Sequence, residues 1–262
     1  KSLVGSEMCI RDSPWTIGGV GNAVWGGVWL KDLLEKVVVS SNASHVAFEG
    51  FDKPLGKAQI KFIRSIPLSK ALSSTLLAYE MNGEPLPLKH GHPLRALALG
   101  WTGANCVKWL EKITLLEKPY EGFYMDQVYR IHQPDQDPKT GEHVTDIEIK
   151  SIITQPEPEA ELQTGRVTIL GAAYAGEADI DKVEISTDGG SSWQAADFIG
   201  PHEQYAWRHW QYVWQVDRPG SYRILARATD SNGEKQPMQA SWNKLGYNNN
   251  GVEEHGVSVQ IT

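Results

Sequence analysis

The chain has 262 residues, 40% of them hydrophobic and ten of them Trp, which is enough for buried cores in two domains of ordinary size. Its formal net charge of −7 argues against nucleic acid or an anionic membrane surface as partner, so any anion site must be locally basic. It has no apolar run of about eighteen residues to span a membrane, and its two cysteines neither build a disulfide framework nor fix the redox compartment.

Residues 1–13, KSLVGSEMCIRDS, show neither periodicity nor the apolar centre of a signal peptide, and read as a non-native leader. From Pro14 the pattern is mixed. Residues 18–21 read as a loop, and Leu30, Leu33, Leu34 and Val37 recur at helical spacing, predicting a short amphipathic helix over 29–37. Residues 45–51 read as a strand leading to Asp52, and 76–81 as a strand running into Asn82-Gly83, the preferred two-residue hairpin turn. Short strands around few helices predict an α+β domain over 14–143.

Within it, HGHPLRALALGWTGANCVKWL (90–110) places basic groups around one apolar strand. His90 and Arg95 flank a turn, 94–99 read as a buried strand, and a loop of small residues, 100–105, leads to Lys108. Small residues let backbone N–H groups approach an anion, and Arg and Lys add charge that counts for more where water is excluded. Read from the residues alone, the pattern fits an anion cradle and a surface hairpin with solvated charges equally. Residues 107–115 then lead away, GFYMDQVYR (122–130) reads as a loop over the site, and PDQDPKTGEH (134–143) as a linker.

A second domain is expected over 146–262. Strands over 166–170, 182–187, 193–197, 205–216, 222–229 and 257–261 alternate with turns, Asp188-Gly189-Gly190 among them, which indicates a β-sandwich. In the longest of these strands Trp210, Tyr212, Trp214 and Val216 share one face, as core residues do.

The stretch LLAYEMNGEPLPLKHGHPLRALALGWTGANCVKWLEKI resembles the molybdopterin-binding core of the sulfite oxidase family, which includes plant assimilatory nitrate reductase and bacterial sulfite dehydrogenases. GNAVWGGVWLKDLL, HVAFEGFD, ISTDGGSSW, YAWRHWQYVW, ATDSNGEKQP and WNKLGYNNNG agree in order and spacing, so that the likeness runs from Pro14 to Thr262. It implies a mixed α/β molybdopterin-binding domain, incomplete at its N-terminus, followed by an immunoglobulin-like dimerisation domain and hence a homodimer. The implied cofactor is molybdenum-molybdopterin, and the implied reaction is oxidation of sulfite to sulfate, with two electrons leaving one at a time to a cytochrome or an attached haem domain. A bacterial chain of this kind would be periplasmic.

By the same resemblance Asp52, His90, Arg95, Cys106, Val107 and Lys108 fall on cofactor-binding positions, with Cys106 acting through its backbone. Tyr129, 39 residues beyond His90, falls on the active-site tyrosine. Each also has a plain structural role open to it: Asp52 as a turn cap, His90 as a satisfied histidine, Cys106 as filler, Tyr129 as a packing residue. The family's molybdenum-ligating cysteine lies in a C-x-G-N-x-R motif that neither Cys9 nor Cys106 matches. It is expected upstream, and the chain as given is expected to hold little molybdenum and to be inactive alone. Where the animal and plant enzymes have Trp-Asn-Leu-Arg-Gly, this chain has Trp242-Asn243-Lys244-Leu245-Gly246, so an anion-binding arginine is missing. Nitrate or S-oxide reduction on the same fold, and a cofactor-free β-sandwich interaction module, are the alternatives.

Overall fold

The computed structural model describes residues 2–4, 21–52 and 60–262, so Cys9 and most of the expected leader lie outside the described residues. Two units emerge. The first comprises residues 1–146 together with Trp242–Tyr247, and the second comprises Ile147–Ser241 and Asn248–Thr262.

In the first unit, Thr75–Met81 is the central strand of a five-stranded sheet. It pairs with Asn22–Trp29, with Arg95–Ala98, and with Glu84–Pro85 across the Asn82-Gly83 turn. Both turn residues have positive φ, 55° and 80°, as the two-residue hairpin requires. Asn22–Trp29 carries a register shift at Gly26/Gly27. A Cβ on Gly27 would lie 2.2 Å from the Leu77 carbonyl oxygen, so only glycine fits there. A three-stranded sheet of Ile63–Pro67, His45–Gly50 and Leu110–Leu116 is also present. Leu30, Leu34, Val46, Phe48, Ile66, Leu77, Ala96, Ala98 and Val107 form the unit's buried core.

Two local expectations change. The helix expected over 29–37 is Leu30–Leu34, because the remainder of the pattern finds nothing to bury against: Val37 is 54% and Val38 99% exposed. The expected linker folds back as a hairpin, Glu142–His143 pairing antiparallel with Arg130–Ile131. The Arg130 guanidinium closes it, donating from Nη1 to the Gly141 carbonyl at 2.7 Å and from Nε to that of Met125 at 2.6 Å.

The second unit is the expected β-sandwich. One sheet has the order Lys150–Gln155, Gly165–Tyr174, Arg208–Val216, Asp197–Phe198, and the other Ala160–Leu162, Val257–Ile261, Gly220–Asp230, Ile180–Ser186, Gln194–Ala195. Trp210, Trp214 and Val216 lie in the core, with Tyr212 packed against it. Trp210 is fully buried and donates from its indole N–H to Ser151 Oγ at 3.0 Å.

Gly171 makes room for that indole. A Cβ there would lie 1.9 Å from Trp210 Cζ2 and 2.3 Å from the Ile152 carbonyl oxygen. Neither neighbour can yield without breaking the ladder or displacing the largest core side chain. Gly171→Ala is therefore expected to destabilise the protein by about 1–3 kcal/mol or more, as overpacking does. A thermal midpoint equal to that of the parent would show that the strand shifts freely.

Candidate functional site

The cradle is built where two segments approach at Gly91. Leu88–His90 forms a 3-10 turn ending at Gly91, whose φ of 111° is in the region open to glycine. A Cβ there would lie 3.0 Å from Lys108 Cα, and the Gly91 carbonyl accepts from the Trp109 amide at 3.3 Å. Trp109 is itself held at φ 48°, its indole donating to the Leu88 carbonyl at 2.9 Å. A bulky residue kept in left-handed backbone is strained, and such strain collects at functional sites. Lys108 lies over the Trp109 ring, 4.3 Å from its centroid, and donates to the Lys89 carbonyl at 3.3 Å.

Arg95 enters from the adjacent strand. Its Nη1 donates to the His90 carbonyl at 3.1 Å, and its guanidinium lies 4.9 Å from the centre of the Trp25 ring. Its Nε is buried with no hydrogen-bond partner among the described residues. Burial pulls the Arg95 pKa down, partly opposed by Cys106. Asp52 stands beside Lys108: a Cβ on Gly50 would meet Asp52 Oδ2 at 2.5 Å and the Lys108 carbonyl at 3.0 Å.

Cys106 and Val107 form the inner wall. The Cys106 amide donates to the Gly103 carbonyl at 3.0 Å, so the amide is occupied within its own loop. Its Sγ is buried 3.9 Å from the Ala98 carbonyl, and burial pushes the thiol pKa up, which makes it a poor nucleophile or ligand. Val107 is fully buried, its carbonyl accepting from the Ala96 amide at 2.9 Å.

Asn105, on the same loop, faces a second cluster. Its Oδ1 accepts from Arg64 Nη2 at 2.7 Å, and its Nδ2 donates to Thr102 Oγ1 at 3.1 Å and the Val144 carbonyl at 3.0 Å. Arg64 is 1% exposed, and burial lowers its pKa to about 10, which still leaves it charged at neutral pH. Its Nη1 donates to the Tyr124 carbonyl, and the guanidinium lies 5.2 Å from the centre of the Tyr129 ring. Tyr129 sits at φ 57°, its amide donating to the Tyr247 hydroxyl at 3.2 Å and its carbonyl accepting from the Val144 amide at 2.9 Å. Arg130 follows directly, with Asp126 3.9 Å away.

His143 completes this cluster, its Nδ1 buried and without a partner among the described residues. Burial, then Arg130 and Arg64, lower its pKa from 6.5 to about 4. The unfolded chain thus binds a proton between those values that the folded chain refuses. The stability associated with neutral His143 is complete above pH 6.5 and is lost as pH falls toward 4. The thermal midpoint should drop across that window and the drop should be shallower in His143→Gln, as calorimetry at several pH values would show; an equally steep drop in the variant would place the cause elsewhere.

The structure therefore brings Asp52, His90, Arg95 and Lys108 to one cradle and sets Tyr129 in the neighbouring cluster. The Lys244 side chain is exposed, while its amide donates to the His132 carbonyl at 3.1 Å. The neighbouring Asn243 is buried, bonded through its side chain to both the amide and the carbonyl of Tyr247. Sequence reasoning passed over Arg64, Asn105, Arg130, His143 and Tyr247. Arg64 had a readable signal, since period-2 alternation puts it on the same face as Ile66, a core residue, and Phe62, which packs against the core.

A buried guanidinium edge with no partner, beside a turn with no room for a Cβ, fits the phosphate-bearing edge of a molybdopterin. Among the described residues no three His, Cys, Asp or Glu side chains gather to hold a metal ion, and no helix is long and apolar enough to cross a membrane.

Comparison with known proteins places the fold. Residues 4–124 match the oxidoreductase molybdopterin binding domain, and residues 142–261 the Mo-co oxidoreductase dimerisation domain. The sulfite oxidase of Arabidopsis thaliana is 34% identical over 92% of this chain and 68% of its own length. The mitochondrial sulfite oxidase of Mus musculus is 34% identical over 96% of this chain and 49% of its own, so the chain spans about half of that relative. The crystal structure of the sulfane dehydrogenase SoxCD from Paracoccus pantotrophus superimposes with a TM-score of 0.82 at 25% identity, covering all of this chain and 71% of that one. With both domain patterns in order and an α+β unit followed by a β-sandwich, the chain belongs to the molybdopterin-dependent sulfite oxidase family.

Proposed function

We propose that this chain carries the cofactor cradle and part of the substrate pocket of a molybdenum oxidoreductase that converts sulfite to sulfate and passes the electrons to a cytochrome. The observation that carries this reading is Arg95, a half-buried cation whose Nε is buried without a partner among the described residues and whose neighbours are a carbonyl, an aromatic ring and a thiol. His90, Arg95 and Lys108 would hold the pterin's anionic edge, and Asp52 its polar side. When bound, the cofactor would supply two-electron oxygen-atom transfer. The protein's own part is to orient the cofactor, to exclude water, and to keep Tyr129 and Arg64 as donors toward the anion. The dimerisation domain supports a homodimer, and the likeness to sulfite-oxidising relatives supports sulfite ahead of nitrate or an S-oxide.

The test is to purify the full-length gene product from a host that makes the cofactor, and to assay sulfite-dependent reduction of cytochrome c. Saturable reduction with sulfite, and none with nitrate as oxidant of a reduced viologen, is the expected result. The reverse pattern would move the protein to the reductive side of the family.

A further inference from the structure

We infer that Tyr247 is a positioning residue for the reaction: its hydroxyl, carried on the segment Trp242–Tyr247, fixes the left-handed backbone of Tyr129 and with it the direction of the Tyr129 phenol. The catalytic part given to Tyr129 rests on the proposed function, whereas the hold of Tyr247 on it is a property of the fold.

Tyr129 has a φ of 57°. A bulky residue in that region is strained, and it stays there only where its surroundings over-determine it. Hydrogen bonds on both sides of the residue do so. The Tyr129 carbonyl accepts from the Val144 amide at 2.9 Å, and the Tyr129 amide donates to the Tyr247 hydroxyl at 3.2 Å. The first bond is backbone to backbone and is indifferent to the side chain at either end. The second depends on a single oxygen atom, 118 positions along the chain.

That oxygen is itself held in place. Tyr247 is buried, its amide donating to Asn243 Oδ1 at 3.0 Å and its carbonyl accepting from Asn243 Nδ2 at 2.8 Å, so one buried amide side chain closes the turn from both ends. Gly246, at φ 69°, donates from its own amide to the Asn243 carbonyl at 3.1 Å. The turn is then moored to the residues that follow Tyr129. The Lys244 amide donates to the His132 carbonyl at 3.1 Å, and Gln133 Nε2 donates to the Trp242 carbonyl at 3.3 Å. The segment therefore grips the stretch 129–133 at both ends, with the phenol oxygen as the grip on Tyr129.

Filling space does not call for this arrangement. A phenylalanine at 247 would bury as much apolar surface, and only the hydroxyl can accept from an amide. The two rings lie 5.9 Å apart and are tilted by 39°, an off-centre contact that does not set the backbone of Tyr129. A group that acts on a reacting centre has to be aimed, and a misplacement of about 1 Å costs on the order of 10²-fold. An amide released from Tyr247 would let the Tyr129 backbone turn, and the phenol would swing with it.

The experiment combines turnover with amide exchange on the full-length gene product from a host that makes the cofactor. Tyr247→Phe should lower kcat for sulfite by about tenfold at unchanged pterin content. In a Tyr129→Phe background it should lower kcat no further, because both changes disable one group. A merely structural loosening would cost the same in both backgrounds. In the parent, labelled with 15N and deuterium, the Tyr129 amide should exchange at least about tenfold more slowly than in an unfolded chain. Tyr247→Phe should remove most of that protection and spare the Val144 amide, which the Tyr129 carbonyl holds. Equal losses in both backgrounds, an unchanged kcat in Tyr247→Phe, or a Tyr129 amide unprotected in the parent would overturn the assignment. The parent's exchange rate keeps the test decisive if the variant fails to fold. Selective release of the Tyr129 amide in a protein that does not oxidise sulfite would leave Tyr247 as the residue that sets Tyr129 and remove the proposed activity. Sulfite oxidation with equal losses in both backgrounds would do the opposite.

Discussion

Arg95→Met will strip the protein of pterin while leaving its fold nearly intact. In the folded chain this guanidinium touches the His90 carbonyl, the Trp25 ring and the neighbourhood of a buried thiol, and its Nε has no partner among the described residues. Replacing a half-buried, poorly compensated cation by an apolar side chain of similar length costs little in stability. With an anionic ligand present the same group supplies a charge-assisted hydrogen bond contributing roughly 1.5–3 kcal/mol, so its loss should lower cofactor retention by about ten- to a hundredfold. Molybdenum by elemental analysis and pterin by fluorescence, per protomer, should fall together while the unfolding midpoint barely moves. Undiminished pterin in the variant would remove Arg95 from the cradle.

Tyr129→Phe should do the reverse, sparing the cofactor and slowing the reaction. The substitution keeps the ring packed near Tyr247, 5.9 Å between centroids, and keeps the backbone bonds that hold the left-handed turn. What it removes is a hydroxyl beside the Arg64 guanidinium, where one oriented donor toward developing charge contributes on the order of 10²-fold in rate at most. Steady-state turnover of sulfite should fall within that bound at constant pterin content. Unchanged rates would return Tyr129 to a packing role.

What was legible in the sequence was whatever local spacing encodes. The Asn82-Gly83 hairpin, the strand through Arg95, the aromatic core face of Arg208–Val216 and the sandwich all follow from periodicity and turn chemistry over a few residues. The strand Asn22–Trp29 escaped because Gly26 and Gly27 erase its alternation, although Gly27 is needed at the register shift. The short helix was read too long because Val37 continues an apolar pattern that no neighbour covers. The cradle could be read because His90, Arg95 and Lys108 are close in sequence. The second cluster could not, because its members come from distant segments: the Tyr129 amide meets a hydroxyl 118 positions away. Such a pairing leaves no local trace, and only the charge at Arg64 on an apolar face hinted at it.

That pairing also bears on how the molecule is made. Trp242–Tyr247 belongs with the first unit, yet it leaves the ribosome after Ile147–Ser241 of the second has been synthesised. Until then the His132 carbonyl lacks the Lys244 amide and the Tyr129 amide lacks the Tyr247 hydroxyl. The nascent chain can complete its early strands and its cradle, but the wall around Tyr129 closes only once Tyr247 has emerged. A release of synthesis at residue 241 would leave that flank open, and would also deprive the sandwich of Val257–Ile261, the strand between Ala160–Leu162 and Gly220–Asp230.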